Sequence, residues 1–491
     1  MTAGLPARSA GRCVLLPVVD LEPGRLHKNE LGEGAPMNTA VARKRSAATP
    51  AAVSSGPAVT IQATTPTEIL QVLSDWKRCP SPVRPIGSGS SMTRCITANG
   101  GTQLDLSSMN RVLKIERDTV TVQPGISLPD LADVLSDEGL ELVGGFDLAS
   151  RTVGGAVCAA GLEASMAGDV GQFAAHAVQL KVLSPSGKRF VVSDKTKSLL
   201  ALMRLSYGLL GVVYEITLRV RPIQGFAVQT AKTSFRDFGK LGSKLLSASA
   251  GVKLYLLPFR DRIYLELRRP AAEADPGKRF AWRVKDWAVN SAIPEAARSL
   301  GLAMPIRQLR YPLIDSLSEF AQTLISGALV KTGSNSVEQS GRWRMGAKPR
   351  FSYSTWAFPA ADFATTVLAY KLFCKEHYAA TSFRCDMPSV SFRINRDRSA
   401  LLSPSFDSAL FTISPLSTQT EGWDDFVFDF ADFAAKHRGI PFFNQTRNAP
   451  PELVTQRYGS RLAFFNKVRR ELDPQDRMLN QYFGSYFPAS A

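Results

Sequence analysis

Three glycine-rich segments, set in order along one mixed strand-and-helix stretch, constrain this chain more than any other feature. They are Gly87-Ser88-Gly89-Ser90-Ser91, Gln123-Pro124-Gly125 and Thr152-Val153-Gly154-Gly155-Ala156. Glycine tolerates positive φ and lets two backbones approach closely. Consecutive N–H groups in such loops can form a nest around a pyrophosphate. One loop alone more often marks a plain turn, but an ordered set is far more specific. None of the three is a Walker A loop, because no Gly-Lys-Ser/Thr follows. None is a G-x-G-x-x-G at a strand-to-helix turn, so an ordinary Rossmann nicotinamide site is not expected.

The segments between the loops read as an α+β unit. Val59 and Ile61 alternate like a strand. Thr65-Pro66-Thr67-Glu68 reads as a helix start, with Thr65 as cap, Pro66 at the first position and Glu68 closing a capping box. Ile69, Leu70, Val72, Leu73 and Trp76 would form its apolar face. A second helix starts at Ser127 and stops at Gly139. Ser184-Pro185-Ser186-Gly187 reads as a turn between strands at Val178–Leu183 and Arg189–Val192. A helix is expected over Leu199–Leu209, then a strand ending at Val220. Farther on, strands are expected at Val252–Leu257 and Arg262–Leu267. Phe383–Pro388 and Ser391–Arg393 suggest a polar strand pair. The last part returns to helices over Phe426–His437 and along Tyr458–Leu472, which Asp473-Pro474 ends.

At 491 residues the chain exceeds a single core. No apolar run reaches the ~18–20 residues that span a bilayer. Val14–Val19 holds a proline and makes a poor secretory leader. The net charge of +16 suits an anionic ligand, an anionic membrane surface or a solvated basic surface. No zinc-finger spacing, basic heptad helix or RNP-like run supports nucleic acid, and no nucleic-acid partner is expected. The six cysteines form no C-x-x-C pair, and the four histidines form no H-E-x-x-H. A reduced, cytoplasmic protein without a metal is expected. Residues 1–55 read as a disordered extension, and Met37 stands as an alternative start.

The order and spacing of these motifs resemble the FAD-binding domain of the vanillyl-alcohol oxidase family, also called the PCMH type. The resemblance rests on Arg84–Ser91, Asp105-Leu106, Met109–Val112, Thr121–Gly125, Thr152–Ala156, Tyr207–Val213 and Thr217–Val220. Leu472–Phe483 is similar to the end of the aldonolactone and alditol oxidase branch. The resemblance implies an α+β fold: an FAD-binding lobe at 56–224, an α+β cap at 225–425, and helices at 426–491 that return to the first lobe. Backbone amides of Gly87, Ser88, Gly89, Ser90 and Ser91, with Thr152, Gly154 and Gly155, would hold the pyrophosphate. Pro124 and Gly125 would lie along the cofactor, and Val213 would meet its adenine end.

Ser90 stands where many members carry a histidine bonded to the flavin, so the FAD is expected to be non-covalent. Gly161 falls where the family controls oxygen access. For the substrate, Arg384, Arg393 and Arg447 are candidates to hold an anionic or lactone oxygen, and Asn444 to bond the flavin edge or substrate. Relatives often place a lysine near Asn444–Arg447, and none stands here. The implied reaction is hydride transfer to flavin from a CH–OH group of a sugar, sugar lactone or polyol, with oxygen or a redox partner as acceptor. An enzyme like decaprenylphosphoryl-ribose oxidase, working at a membrane, stays open, as does a flavin-free binding protein.

Overall fold

The computed structural model describes residues 56–144, 151–166, 171–247, 250–271, 279–304, 306–324, 330–339 and 351–487. The reading for residues 1–55 lies outside these residues.

The first lobe is built from two sheets. A parallel sheet places Thr102–Asp105 between Val59–Gln62 and Val83–Ile86. A six-stranded antiparallel sheet runs Val112–Ile115, Thr119–Val122, Val212–Pro222, Ala177–Leu183, Arg189–Ser193, with Leu140–Leu142 added along Val212–Pro222. The expected turn at Ser184–Gly187 closes the hairpin, and Gly187 takes the positive φ it needs. The first helix, Pro66–Ser74, starts as read: Thr65 accepts from Glu68 N. The Glu68 carboxylate bonds Thr64 N at 2.7 Å, so the box closes one residue earlier than expected. Trp76 lies beyond the helix, half exposed, with the Arg477 guanidinium 4.3 Å from its ring. The helix expected over Leu199–Leu209 ends at Met203, because Leu205 and Tyr207 take positive φ and turn the chain.

The second lobe hangs on an eight-stranded sheet. Its order is Thr332–Gly333, Phe226–Thr233, Arg262–Pro270, Gly251–Leu257, Ser389–Ile394, Leu410–Ile413, Trp356–Pro359, Ile440–Pro441. Phe383–Pro388 is loop, not strand, and Ser389–Ile394 pairs instead with Gly251–Leu257 and Leu410–Ile413. One continuous core joins the lobes: Val122, Ile216 and Leu218 belong to the same buried cluster as Trp356, Phe392 and Phe411.

The late helices close the first lobe. The stretch read as one helix is two, Pro451–Tyr458 and Ser460–Leu472, broken at Gly459 with φ +56°. Asp473 then accepts from Arg477 N and Met478 N, forming a tight turn. Asn480 Nδ2 donates to the carbonyls of Arg94, Cys95 and Thr97. From the other side Arg84 donates to Met478 O, Cys95 O and Tyr207 O at 2.6–2.9 Å. That guanidinium is fully buried, and burial pulls its pKa down to about 10.

Candidate functional site

The glycine loops converge on one cavity of about 120 Å³ between the two sheets of the first lobe. Its walls include Gly87, Ser88, Gly89, Ser90, Ser91, Pro124, Thr152, Gly154, Gly155 and Val213, and Asn444 joins them from the far end of the chain. Each loop is placed by the element before or after it. Gly87–Ser91 follows the strand Val83–Ile86, Pro124 follows Thr119–Val122, and Thr152 caps the short helix Val153–Cys158.

Why glycine is needed differs from loop to loop. A Cβ on Gly87 would collide with Thr152 Oγ1, and one on Gly154 would come within 2.8 Å of Pro124. These two glycines therefore let the loops touch one another. Gly125 has the same duty against the Leu106 carbonyl and does not line the cavity. Gly155 is different: its Cβ would meet only Thr152 Oγ1, at 3.3 Å, so this is where the wall opens toward a ligand. Gly89 alone in the first loop needs positive φ, at +66°. Among the described residues, the N–H groups of Gly87–Ser91 donate to no protein acceptor. That row of donors, with a glycine cradle opposite, suits an anionic ligand approached by backbone.

The far end of the cavity is clamped by side chains. The Ala160 carbonyl accepts from Arg151 Nη1 at 2.9 Å, Asn444 Nδ2 at 2.9 Å and Gln445 Nε2 at 3.1 Å. Asn444 is buried and its Oδ1 has no hydrogen-bond partner among the described residues. Ser91 Oγ and Met92 N both donate to the Asn444 carbonyl at 3.0 Å, so the first glycine loop fixes this asparagine. Cys158 also lines the wall; burial raises its thiol to about 12, which keeps it protonated and unreactive.

A second cavity, about 90 Å³, lies against the eight-stranded sheet. Lys253, Tyr255, Val390 and Phe392 line it from neighbouring strands in register, Lys253 beside Phe392 and Tyr255 beside Val390. Tyr353, Phe351, Leu416 and Leu162 complete the side nearest the first cavity. The Lys253 ammonium sits 5.2 Å from the rings of both Tyr255 and Phe392. Behind it, Glu266 receives Lys285 at 2.7 Å and Arg268 at 2.9 Å, and Arg268 also grips Glu338. Burial alone would raise the Glu266 pKa, but Lys285, Arg268 and Lys253 outweigh it and hold the carboxyl at about 2.

Arg151, in the wall of the first cavity, and Tyr353, in the wall of the second, are close enough for the guanidinium and the phenol to act on one another. Burial raises the Tyr353 pKa, against the smaller pull of Arg151, so the phenol stays protonated.

Of the arginines expected at a substrate, none lines either cavity. Arg384 pairs with Asp315 and stacks over Phe259 at 3.9 Å and Tyr311 at 4.5 Å, bracing a cap helix. Arg393 is on the strand that lines the second cavity, but strand alternation turns it to the face opposite Val390 and Phe392. Arg447 pairs with Asp424 at 3.2 Å, its side chain 35% exposed, and lines neither cavity. Gly161 is buried, its N–H donating to Gln172 Oε1, and is likewise outside the first cavity. Asp386 bonds Thr418 and Ser417, not an arginine. Sequence reasoning missed Arg151, Tyr353 and Lys253. Only Lys253 left a readable signal: a lysine flanked by Val252, Leu254 and Leu256 in an apolar strand.

Residues 57–193 match a family described as "FAD binding domain", and residues 216–486 match one described as "D-arabinono-1,4-lactone oxidase". Among curated proteins, the mitochondrial L-galactono-1,4-lactone dehydrogenase of Arabidopsis thaliana is 29% identical over 39% of this chain and 31% of its own length. An L-gulono-1,4-lactone dehydrogenase of Mycobacterium tuberculosis is 24% identical over 42% of this chain and 47% of its own. The chain thus spans about a third to a half of the length of these relatives. The mouse L-gulonolactone oxidase is 22% identical over 88% of this chain and 95% of its own. Among solved structures, a cholesterol oxidase from Brevibacterium sterolicum superposes with a TM-score of 0.68 at 14% identity, covering 87% of this chain and 94% of that one.

Proposed function

The chain belongs to the D-arabinono-1,4-lactone oxidase family, and from that premise we propose that it is an FAD-dependent oxidoreductase. Its substrate would be a CH–OH group of a sugar lactone or closely related sugar or polyol. The observation that carries the reading is the pair of cavities that meet at Arg151 and Tyr353, one built for a nucleotide and one for a small polar molecule.

FAD fits the first cavity on this chain's own chemistry. The free N–H row of Gly87–Ser91 and the opening at Gly155 would take the pyrophosphate. Val213, also in the wall, would take the adenine end. The unmet Asn444 Oδ1 suits an N–H on the ring edge. Ser90 cannot form the histidyl bond, so the flavin would be held without a covalent link. Acid precipitation should then release all yellow colour into the supernatant; fluorescence kept by the denatured chain would refute this.

When bound, the flavin supplies the hydride acceptor. The protein's part is to place the substrate and manage its charges. Lys253 and the protonated Tyr353 would donate to the substrate oxygens and orient the reacting carbon toward the first cavity. The Asp286 carboxylate lines the same cavity and would receive the hydroxyl proton as the carbonyl forms. Arg151, buried at the junction, would set positive charge beside the reduced ring. Electrons would pass to oxygen or a separate redox partner, and the basic protein would work in peripheral contact with an anionic membrane.

Anaerobic mixing with a panel of aldonolactones, alditols and phosphorylated sugars tests the reading. Bleaching of the flavin by lactones or polyols supports it. Bleaching by phosphorylated sugars alone would replace the substrate class, and no flavin uptake at all would remove the enzyme reading.

A further inference from the structure

The cap helix Arg307–Leu324 is amphipathic the wrong way round for a soluble surface. Its inward face buries Arg310, Ser318 and Gln322 alongside Tyr311 and Ile314. Its outward face carries Leu309, Leu313, Leu317, Phe320 and Leu324, all exposed, with Ile306 just before the helix. The spacing from 306 to 324 is three or four throughout, so these side chains form one ridge. At 1.5 Å per residue the ridge is about 27 Å long. Phe320 is 65% exposed, and Leu302, near the end of the preceding helix Ile293–Ala303, is 81% exposed. The helix's two carboxylates are turned to the body, Asp315 to Arg384 and Glu319 to Lys232 and Arg260. Among the described residues, the only charge on the outer face is Arg307.

We propose that this ridge docks the protein on an anionic lipid bilayer, lying in the interface with its leucines and Phe320 among the acyl chains. A contiguous apolar surface of this kind on a soluble protein marks an interaction site, and charge selects the occupant. The chain carries +16, so a second copy is repelled and an anionic surface is attracted. Among the described residues, the ridge also lacks the central Arg or Tyr anchors of a protein interface. It has instead the composition of an interfacial helix: Leu, Ile and Phe with a cation and no outward carboxylate. No described helix is long and apolar enough to cross a membrane, so the contact is peripheral. The inner face of the same helix packs, through Ile314, on the cluster holding Phe351, Tyr353 and Leu416, which line the second cavity. Docking would hold that cavity beside the bilayer.

The proposal names the surface for the membrane contact proposed above and rests on that contact, not on the lactone chemistry. Flavin reduction without vesicles reads the chemistry; vesicle binding reads the ridge, so either can fail alone. Holoprotein is sedimented with vesicles of phosphatidylcholine mixed with phosphatidylglycerol, and with phosphatidylcholine alone. Wild type should pellet with the anionic vesicles. Leu313→Ser with Phe320→Ser should stay in the supernatant with normal flavin content, each change weakening partition about tenfold. A second variant, Leu313→Trp, keeps the ridge apolar, and its fluorescence should shift to the blue on adding anionic vesicles. Wild type left in the supernatant, equal pelleting of the double variant, or no fluorescence shift would each overturn the proposal. So would a wild-type dimer, by light scattering, that the double variant converts to monomer.

Discussion

The two cavities are made of different materials. The first is walled largely by glycine-bearing loops, at Gly87, Gly89, Gly154, Gly155, Gly208 and Gly211, with side chains such as Ile86, Leu106, Tyr207 and Val213 between them. The second is walled by side chains on adjacent strands and on the helical segment Trp282–Asn290, and a buried network of Lys285, Arg268, Glu266 and Glu338 reaches its wall through Lys285 and Glu338. A backbone-built site tolerates few sequences, because each close approach demands glycine at one position. A side-chain-built site depends on which face of a strand a residue takes, and many sequences satisfy that. The contrast predicts opposite sensitivities: adding atoms should ruin the first cavity, and removing them should ruin the second.

The largest effect is expected where the backbone cavity opens. Gly155→Asp fills the cradle and sets a negative charge against an anionic ligand. FAD affinity should fall by more than about a hundredfold, roughly 3 kcal/mol, with circular dichroism little changed. Normal flavin occupancy in the variant would end the assignment of that wall to the pyrophosphate.

The buried network behind the second cavity should show in acid. Glu266 is held at about 2 in the fold, against an ordinary glutamate near 4.5. A depressed carboxylate pKa means stability that is fully present above about 4.5 and is lost as pH falls toward 2. The loss from this group is about 3 kcal/mol. Urea unfolding followed at stepped pH between 5 and 2 would read it, with Glu266→Gln losing that dependence. A wild-type curve as flat as the variant's would mean the network is not closed as described.

Lys253→Met removes the cavity-facing cation while keeping its packing. We expect KM for the reducing substrate to rise about tenfold to thirtyfold, roughly 1.5–2 kcal/mol, with FAD binding unchanged. An unaltered KM would shift substrate binding away from this wall. The smallest effect belongs to Arg447→Ala. Its guanidinium is partly exposed and paired with Asp424, so stopped-flow flavin reduction should change by less than about twofold. A loss near a hundredfold would bring Arg447 back to the substrate.

The same contrast explains what could be read in advance. The loop positions that line the first cavity follow from glycine and proline, whose backbone demands are local and visible in sequence. The α+β class was legible from caps and turns such as Thr65, Ser127 and Gly187. The substrate side was not. Arg393 stands one residue from Phe392, and only the register with Gly251–Leu257 decides which of the two faces the cavity. Arg384 found its carboxylate at Asp315, a helix distant in sequence. Arg151 reads as an ordinary loop residue until the fold brings it to Tyr353. Long-range pairing, which sequence patterns do not encode, made these choices.

The hydrogen bond from Arg84 to Met478 O spans 394 positions of the chain. A ribosome adding about 5–20 residues per second needs about 20–80 s to bridge that gap. Throughout this interval the sheet under the first glycine loop exists without the carbonyl that its buried guanidinium requires. Asn480, which secures Cys95 O beside it, arrives later still. The nucleotide lobe is thus encoded first and finished late, and its final closure is timed by synthesis of the segment around Asp473–Asn480.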